Sequence, residues 1–488
     1  LNTYNNIELI VSSIGRFTAL LLNFGLYILV FRSINLNEFA EYSLINGIQS
    51  FILVVISGPI LNLIGKETWY WLKEKKLTLN IFRYLQPLTF IYLLAFLIIL
   101  IISYLLGWIT FIGLFFYSIG VVCFSITSLF SALFNAVGIL RNRYLFSLYM
   151  FIDGLFKILF VLGANNFPIL KQGSIYFFLI QLGSLIGVGT LYIFSKGHLL
   201  KLDLRFASDL LFNNNLFKKN TYLIFESNKS LNTSAFFNWG TSTGNRYVVE
   251  PFVSKKLLGL YIAGFNLGNS ILSAAEGFFT NFMLPLLYNK ISNEGVLINK
   301  KLICTKYLFL WLGYLMPLLF LFLYKSDEII SLILGDSRVS LKIVRFGLIY
   351  SFGMLFLGLS QSFSLIFSDY NSYLRATLIN FIVGIIGLFF ITKFFNLEMG
   401  VLCLALSTIF SMLFFINSSA NFFSINILLL GVLKVVLVSF ILLFFSFIMF
   451  NNNLIDSFYI KFALSGCVWV LSVFLVFKNW INDFRDII

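Results

Sequence analysis

The segment ILLLGVLKVVLVSFILLFFSFIM, residues 427–449, contains a single charged residue, Lys434. A run of roughly 20 apolar residues is what a helix needs to cross about 30 Å of hydrocarbon. Inside a bilayer every backbone N–H and C=O has to be satisfied within the protein. Only helices and closed barrels achieve that. Runs of similar length recur along the chain, and the alternating short strands of an outer-membrane barrel do not. Composition agrees: 59% of residues are hydrophobic and 11% are charged. Soluble domains carry about 25% charged residues, so this chain has too little charge to cover a water-facing surface. The expected fold class is an all-α integral membrane protein.

Apolar windows give about 14 candidate transmembrane helices. The first, 9–31, lacks a basic leader and a small-residue cleavage site, so it reads as a retained membrane helix. The weakest by hydropathy is the seventh, 222–249, where Glu226, Lys229 and many Asn, Ser and Thr interrupt the apolar pattern. It is kept because omitting it places the basic loops on either side of it on opposite faces of the membrane. Lys and Arg collect in cytoplasmic loops. With the N-terminus inside, the inner loops receive Lys66 to Lys76 with Arg83, Arg141 to Arg143, the 196–221 loop, the 288–306 loop and the tail with Lys478 and Arg485. The expectation is a multi-pass protein of the bacterial inner membrane with both termini cytoplasmic. The net charge of +14 follows from this bias and from anionic lipid heads, and no nucleic-acid-binding module is present. No loop is long enough for a core of its own. The four cysteines form no CxxC pair and the one histidine has no companion, so no metal or redox site is expected.

The basic loop divides the chain. The expected organisation is a six-helix bundle over 1–195, the loop 196–221, a second six-helix bundle over 222–417, and two further helices with a tail over 418–488. Six plus six is a common transporter build. A weak internal match supports it: INLNEFAEY (34–42) and VSKKLLGLY (253–261) each join the first and second helix of a half.

Ionisable residues within spans are costly, and each marks a candidate site. Arg16 lies about two turns into the first span and can equally snorkel to the head groups. Asp153 and Lys157, in FIDGLFKILF, share a helix face at i, i+4 and can pair, as a structural neutral pair or as a site. Glu276 follows SAA in the eighth span with no local partner. The seventh span carries Lys229, Asn245 and Arg246 among its hydroxyls and amides. Such a helix lines water or protein, not lipid. A packing helix bound by hydroxyls and amides is the bland alternative.

The segment GNRYVVEPFVSKKLLGLYIAGFNLG (244–268) resembles the polysaccharide and O-antigen flippases of the multidrug/oligosaccharidyl-lipid/polysaccharide exporter superfamily. There the seventh span ends in a Ser/Asp-Arg-aromatic run, matched by Asn245-Arg246-Tyr247, and a Gly-Leu-Tyr opens the eighth, matched by Gly259-Leu260-Tyr261. FGLYILVFRSINLNEFAEYSLI is similar to the family's first span and its Glu-Phe-Gly-x-Tyr elbow, here Glu38, Phe39, Ala40 and Tyr42. Asn245 stands where the family usually has Asp, and Ala40 where it has Gly. The first departure removes a carboxylate beside Arg246.

The resemblance implies two six-helix bundles in a V around a central cavity. It implies an oligosaccharide on an undecaprenyl pyrophosphate carrier, moved from the inner to the outer leaflet by alternating access. By that analogy Arg16, Lys229 and Arg246 are the candidate pyrophosphate contacts, because guanidinium forks suit phosphate oxygens. Asp153, Lys157, Glu276 and Asn245 are candidate cavity or coupling residues. No cofactor is expected, and the coupling ion, H+ or Na+, stays open. The expected partners are the lipid-linked oligosaccharide, membrane lipids, and a polysaccharide polymerase with its chain-length machinery, around a functional monomer. Three rivals remain: a lipid II flippase, a multidrug–cation antiporter, whose cavity should be more acidic, and a membrane-embedded polymerase or glycosyltransferase. The enzyme reading lacks the large outer loop and the acidic or His clusters that such chemistry uses, so the chain is expected not to be an enzyme.

Overall fold

The computed structural model describes residues 2–57, 93–94, 96–105, 109–139, 143–167, 170–199, 229–293, 297–333, 339–367, 369–424, 428–451 and 457–485. Among them there is helix and no strand. Among the described residues ten helices are long and apolar enough to cross a membrane, and two shorter apolar stretches, Leu21–Ser33 and Phe96–Leu105, accompany them. The protein is a multi-pass, all-helical membrane protein. The basic stretches 66–76 and 200–221 of the sequence reading lie outside the described residues.

The chain divides into two compact units, Leu1–Ile262 and Ala263–Ile488. The first holds α1 (Asn2–Ser33), α2 (Leu36–Phe51), α3 (Phe111–Ile139), α4 (Arg143–Asn165), α5 (Gly173–Leu199), α6 (Lys229–Trp239) and α7 (Asn245–Val249). A π-helical turn, Ile52–Ser57, follows α2, and another, Gly240–Gly244, joins α6 to α7. The long α8, Lys255–Asn293, begins in this unit. This division falls in the eighth expected span. The reason is local: α6 packs on the π turn after α2, and Gly240–Gly244 packs on α2 itself.

α3, α4 and α5 pack on one another, α1 lies on α4, and α2 on α5. Small residues set these approaches. A Cβ at Gly183 would stand 2.9 Å from the Phe156 carbonyl oxygen, and one at Gly120 would stand 2.8 Å from the Phe177 ring. Hydroxyls on these helices turn back onto their own backbone. Ser118, Ser125 and Thr127 each donate to the carbonyl four residues earlier, at 2.7, 2.8 and 2.8 Å. That satisfies a hydroxyl without water, as the bilayer requires.

The second unit holds α9 (Leu297–Tyr324), α10 (Ser326–Ile333), α11 (Leu341–Phe367), α12 (Tyr370–Phe394), α13 (Leu397–Ser418), α14 (Leu428–Asn451) and α15 (Phe458–Arg485). Asp369 and Asn396 cap α12 and α13 through their side-chain oxygens. α9 packs against α11, α14 and α15, with Trp311 fully buried beside Phe352 and Phe356. Two regions expected as loops are helical. Lys290, Lys300, Lys301 and Lys306 ride on α8 and α9, and Asp327 and Glu328 on α10. Helices run on past the apolar window because charged residues there extend an existing hydrogen-bond ladder at little penalty.

Candidate functional site

The polar stretch of the seventh expected span forms a tight knot in the first unit. Three side chains of Trp239–Tyr247 hold carbonyls of α2. Arg246 donates from Nη1 to the Ser43 carbonyl at 3.0 Å, and Tyr247 donates from its hydroxyl to the Leu44 carbonyl. Trp239 donates from Nε1 to the Gly47 carbonyl at 3.2 Å and to Ser50 Oγ at 3.1 Å. Gly47 makes this approach feasible, because a Cβ there would stand 2.8 Å from the Tyr247 hydroxyl and 3.2 Å from Thr243. Arg246 is 7% exposed. Around its guanidinium lie Tyr27 of α1, Tyr42 of α2, Tyr247 and Tyr261 of α8. Tyr27 in turn donates to the Ile262 carbonyl at 3.2 Å. A planar cation among phenol rings and carbonyls is a low-dielectric setting in which each remaining interaction is strong.

Asn245 is fully buried and its amide is used at both ends. Nδ2 donates to the carbonyls of Thr241 at 2.6 Å and Ser242 at 3.1 Å, and Oδ1 accepts from the Tyr261 hydroxyl at 3.0 Å. The π turn accounts for this need. A π turn shifts the i→i+4 ladder by one residue, and the Asn245 amide fills in at the carbonyls. The amide is a donor there, which an ionised Asp is not.

The other sequence-predicted residues are placed as follows. Arg16 is on α1 and Lys229 is the first residue of α6, and their side chains lie outside the described residues. Asp153 and Lys157 pair at 2.5 Å on α4, and Ser184 of α5 donates to the second carboxylate oxygen. A second polar link, Gln181 Nε2 to Gln49 Oε1 at 3.3 Å, ties α5 to α2. Glu276 sits on α8 in the second unit and accepts a hydrogen bond from Thr280. The structure thus joins Asn245 with Arg246 and Asp153 with Lys157. Sequence reasoning missed the tyrosines and the α2 carbonyls. Tyr42, Tyr247 and Tyr261 had appeared only as letters of motifs, and a carbonyl acceptor leaves no mark in a sequence.

The ion pair on α4 gives a clean test. Removing one member leaves the other as an uncompensated charge in a low-dielectric helix pair, which costs about 3–5 kcal/mol. Asp153→Asn and Lys157→Met are each expected to lower the melting temperature of the purified protein by several degrees. The double variant is expected to recover most of the loss. A double variant no more stable than the worse single one means that the pair is held by more than its own neutralisation.

No protein-family model matches the sequence, and no curated protein matches it. Solved structures do. One is described as the lipid II flippase MurJ in an inward closed conformation. It superimposes with a TM-score of 0.64 at 15% identity, over 97% of this chain and 100% of that one. Another is a variant of the Vibrio cholerae MATE transporter VcmN, with a TM-score of 0.54 at 12% identity, over 86% of this chain and 98% of that one. The fold is that of these solved structures. At these identities the likeness shows the fold alone; the two solved proteins are named as a flippase and a transporter. In the first unit the 239–247 segment buries Thr241, Asn245 and Arg246.

Proposed function

We propose that the chain is a flippase that carries an oligosaccharide on an undecaprenyl pyrophosphate from the cytoplasmic to the outer leaflet of a bacterial inner membrane. Arg246 is the observation that carries this reading: a guanidinium on a spanning segment, enclosed by tyrosines and bonded to the Ser43 carbonyl of α2. Inside a membrane such a charge is expensive unless it serves a purpose. Its forked donors suit pyrophosphate oxygens, and a sugar–pyrophosphate head needs a polar, cationic route while its lipid tail stays in hydrocarbon. In the arrangement described here Ser43 occupies one donor, so substrate contact requires α2 to yield. That requirement is in keeping with a transport cycle in which the site opens in turn to each side.

The reading takes in about 14 spans in two six-helix bundles with both termini cytoplasmic, a functional monomer, and a polymerase with its chain-length machinery acting downstream. Arg16 and Lys229 are further pyrophosphate candidates. Asp153, Lys157 and Glu276 are candidates for coupling to H+ or Na+. A second reading, a lipid II flippase, is favoured by the likeness to MurJ. Deletion of the gene separates the two. Loss of surface polysaccharide with lipid-linked oligosaccharide accumulating on the cytoplasmic leaflet is expected. Normal surface polysaccharide together with arrested cell-wall growth would transfer the assignment to lipid II.

A further inference from the structure

We propose that Asn23 of α1, Asn46 of α2 and Thr243 of the π turn form a subsite for neutral sugar rings, one helical turn from Arg246. It rests on the reading of the chain as a flippase for a lipid-linked oligosaccharide, and names the residues that meet the glycan.

The elbow at 34–35 joins α1 to α2, so α1 runs toward it and α2 away from it. The 239–247 segment runs antiparallel to α2. Trp239 bonds to Gly47 and Ser50, while Arg246 and Tyr247 bond to Ser43 and Leu44, nearer the elbow. These bonds fix the level of each residue. Arg246 stands level with Ser43. Tyr27, beside the guanidinium, is about as far back along α1 from the elbow as Ser43 is forward along α2. One turn farther from the elbow, roughly 5 Å, come Asn23 on α1, Asn46 on α2 and Thr243 opposite Gly47. The three form a layer next to the cation.

Both asparagines are exposed, and they fall in the expected spans 9–31 and 42–64. Each lies on the side of its helix that turns to the knot. Asn46 belongs to the stripe Ser43, Asn46, Gly47 and Ser50, the helical i, i+3, i+4, i+7 pattern, and the other three meet 239–247. Asn23 shares a face with Tyr27 at i, i+4, away from the exposed Leu21. The Thr243 methyl lies 3.2 Å from where a Cβ of Gly47 would stand. Among the described residues, neither asparagine amide nor the Thr243 hydroxyl has a hydrogen-bond partner. Polar groups at such depth are tolerated where they meet water or a polar ligand, and are costly against lipid.

The chemistry of the layer selects among ligands. An amide offers donors and an acceptor, and a hydroxyl offers both as well. A sugar hydroxyl is served by groups of that dual kind. A phosphate offers acceptors only, and the guanidinium one turn away suits it better. An organic cation would need a carboxylate. At this level α4 packs Gly154 on Leu22, and its Asp153 is neutralised by Lys157. Farther again from the elbow come rings. Phe51 lies 4.7 Å from Trp239 and 6.3 Å from Phe236, centroid to centroid, and Phe236 is 40% exposed. Cation, then amides and hydroxyl, then aromatic faces is an order that fits pyrophosphate, sugar hydroxyls and the apolar face of a sugar ring.

The test uses the full-length protein in lipid nanodiscs and two probes. One is undecaprenyl pyrophosphate, and the other is its glycosylated form extracted from the gene-deletion strain. The wild type should bind the glycosylated probe about tenfold more tightly or better. Asn23→Ala, Asn46→Ala and Thr243→Val should each cut that preference about three- to tenfold, as loss of neutral hydrogen bonds does. Arg246→Ala should weaken both probes. Equal binding of the two probes by the wild type overturns the subsite and leaves the flippase reading standing. Variants that weaken both probes by the same factor also overturn it, since the residues are then structural. The three substitutions lie on separate elements, so misfolding of one leaves the others decisive. If the wild type binds neither probe, or the deletion strain holds no glycosylated carrier, the flippase reading falls and the subsite falls with it.

Discussion

Arg246→Ala is expected to reduce surface-polysaccharide export about 100-fold or more in a deletion background, with only a modest change in the stability of the purified protein. The two effects separate for a physical reason. A charge-assisted hydrogen bond is worth about 1.5–3 kcal/mol, and two made to a phosphate together span several tenfold steps. Against stability the terms oppose each other. Alanine gives up the bond to the Ser43 carbonyl, but it also relieves the desolvation of a guanidinium that is 7% exposed. Arg246→Lys keeps the charge and loses the fork, so intermediate export is expected. Equal export in all three proteins would remove Arg246 from the site. A large fall in melting temperature for Arg246→Ala, matched by an equal fall for Arg246→Lys, would make it a structural pin.

Asn245→Asp is expected to be the more damaging change to the fold. An aspartate there sets a carboxylate against the Thr241 and Ser242 carbonyl oxygens, or offers them a single O–H where the amide now serves both. Leaving a buried acceptor unserved costs about 1–3 kcal/mol, and a buried like-sign contact adds to it. Melting in detergent should fall by several degrees. Asn245→Ala, which removes the donor without adding repulsion, should fall less. If Asn245→Asp matches or exceeds the parent, the π turn does not need a donor at 245. The customary Asp–Arg pairing of similar sequences would then be the better guide.

Much of the architecture was legible because lipid imposes a coarse rule. Apolar length located most of the long helices that the structure describes from 109 onward, and the lack of charge argued against a soluble fold. The seventh span was kept on loop charge, and α10 was not expected. The places where the reading ran short share one cause, which is that side-chain chemistry was legible and backbone chemistry was not. Asp153 and Lys157 were expected to pair from spacing, and they do. Arg246 was singled out, but its partner turned out to be a carbonyl of α2, which no residue type betrays. Asn245 read as a lost carboxylate, and its amide donates to two carbonyls of the turn beside it. The division of the chain at 262/263 follows from the same knot, because the bonds from 239–247 run to α2.

The π turn at Gly240–Gly244 also changes how the seventh span is to be measured. Each turn of that geometry takes up roughly one residue more than an α turn. A helical wheel drawn straight through 229–249 therefore drifts by about a quarter of a revolution between Lys229 and Arg246. Two residues that such a projection places on one face point in different directions, and some that it separates come together. An alignment to a relative lacking the turn needs a one-residue gap inside an apparently continuous helix. Comparisons that forbid such gaps will pair Asn245 and Arg246 with the wrong neighbours in precisely the stretch where their chemistry matters.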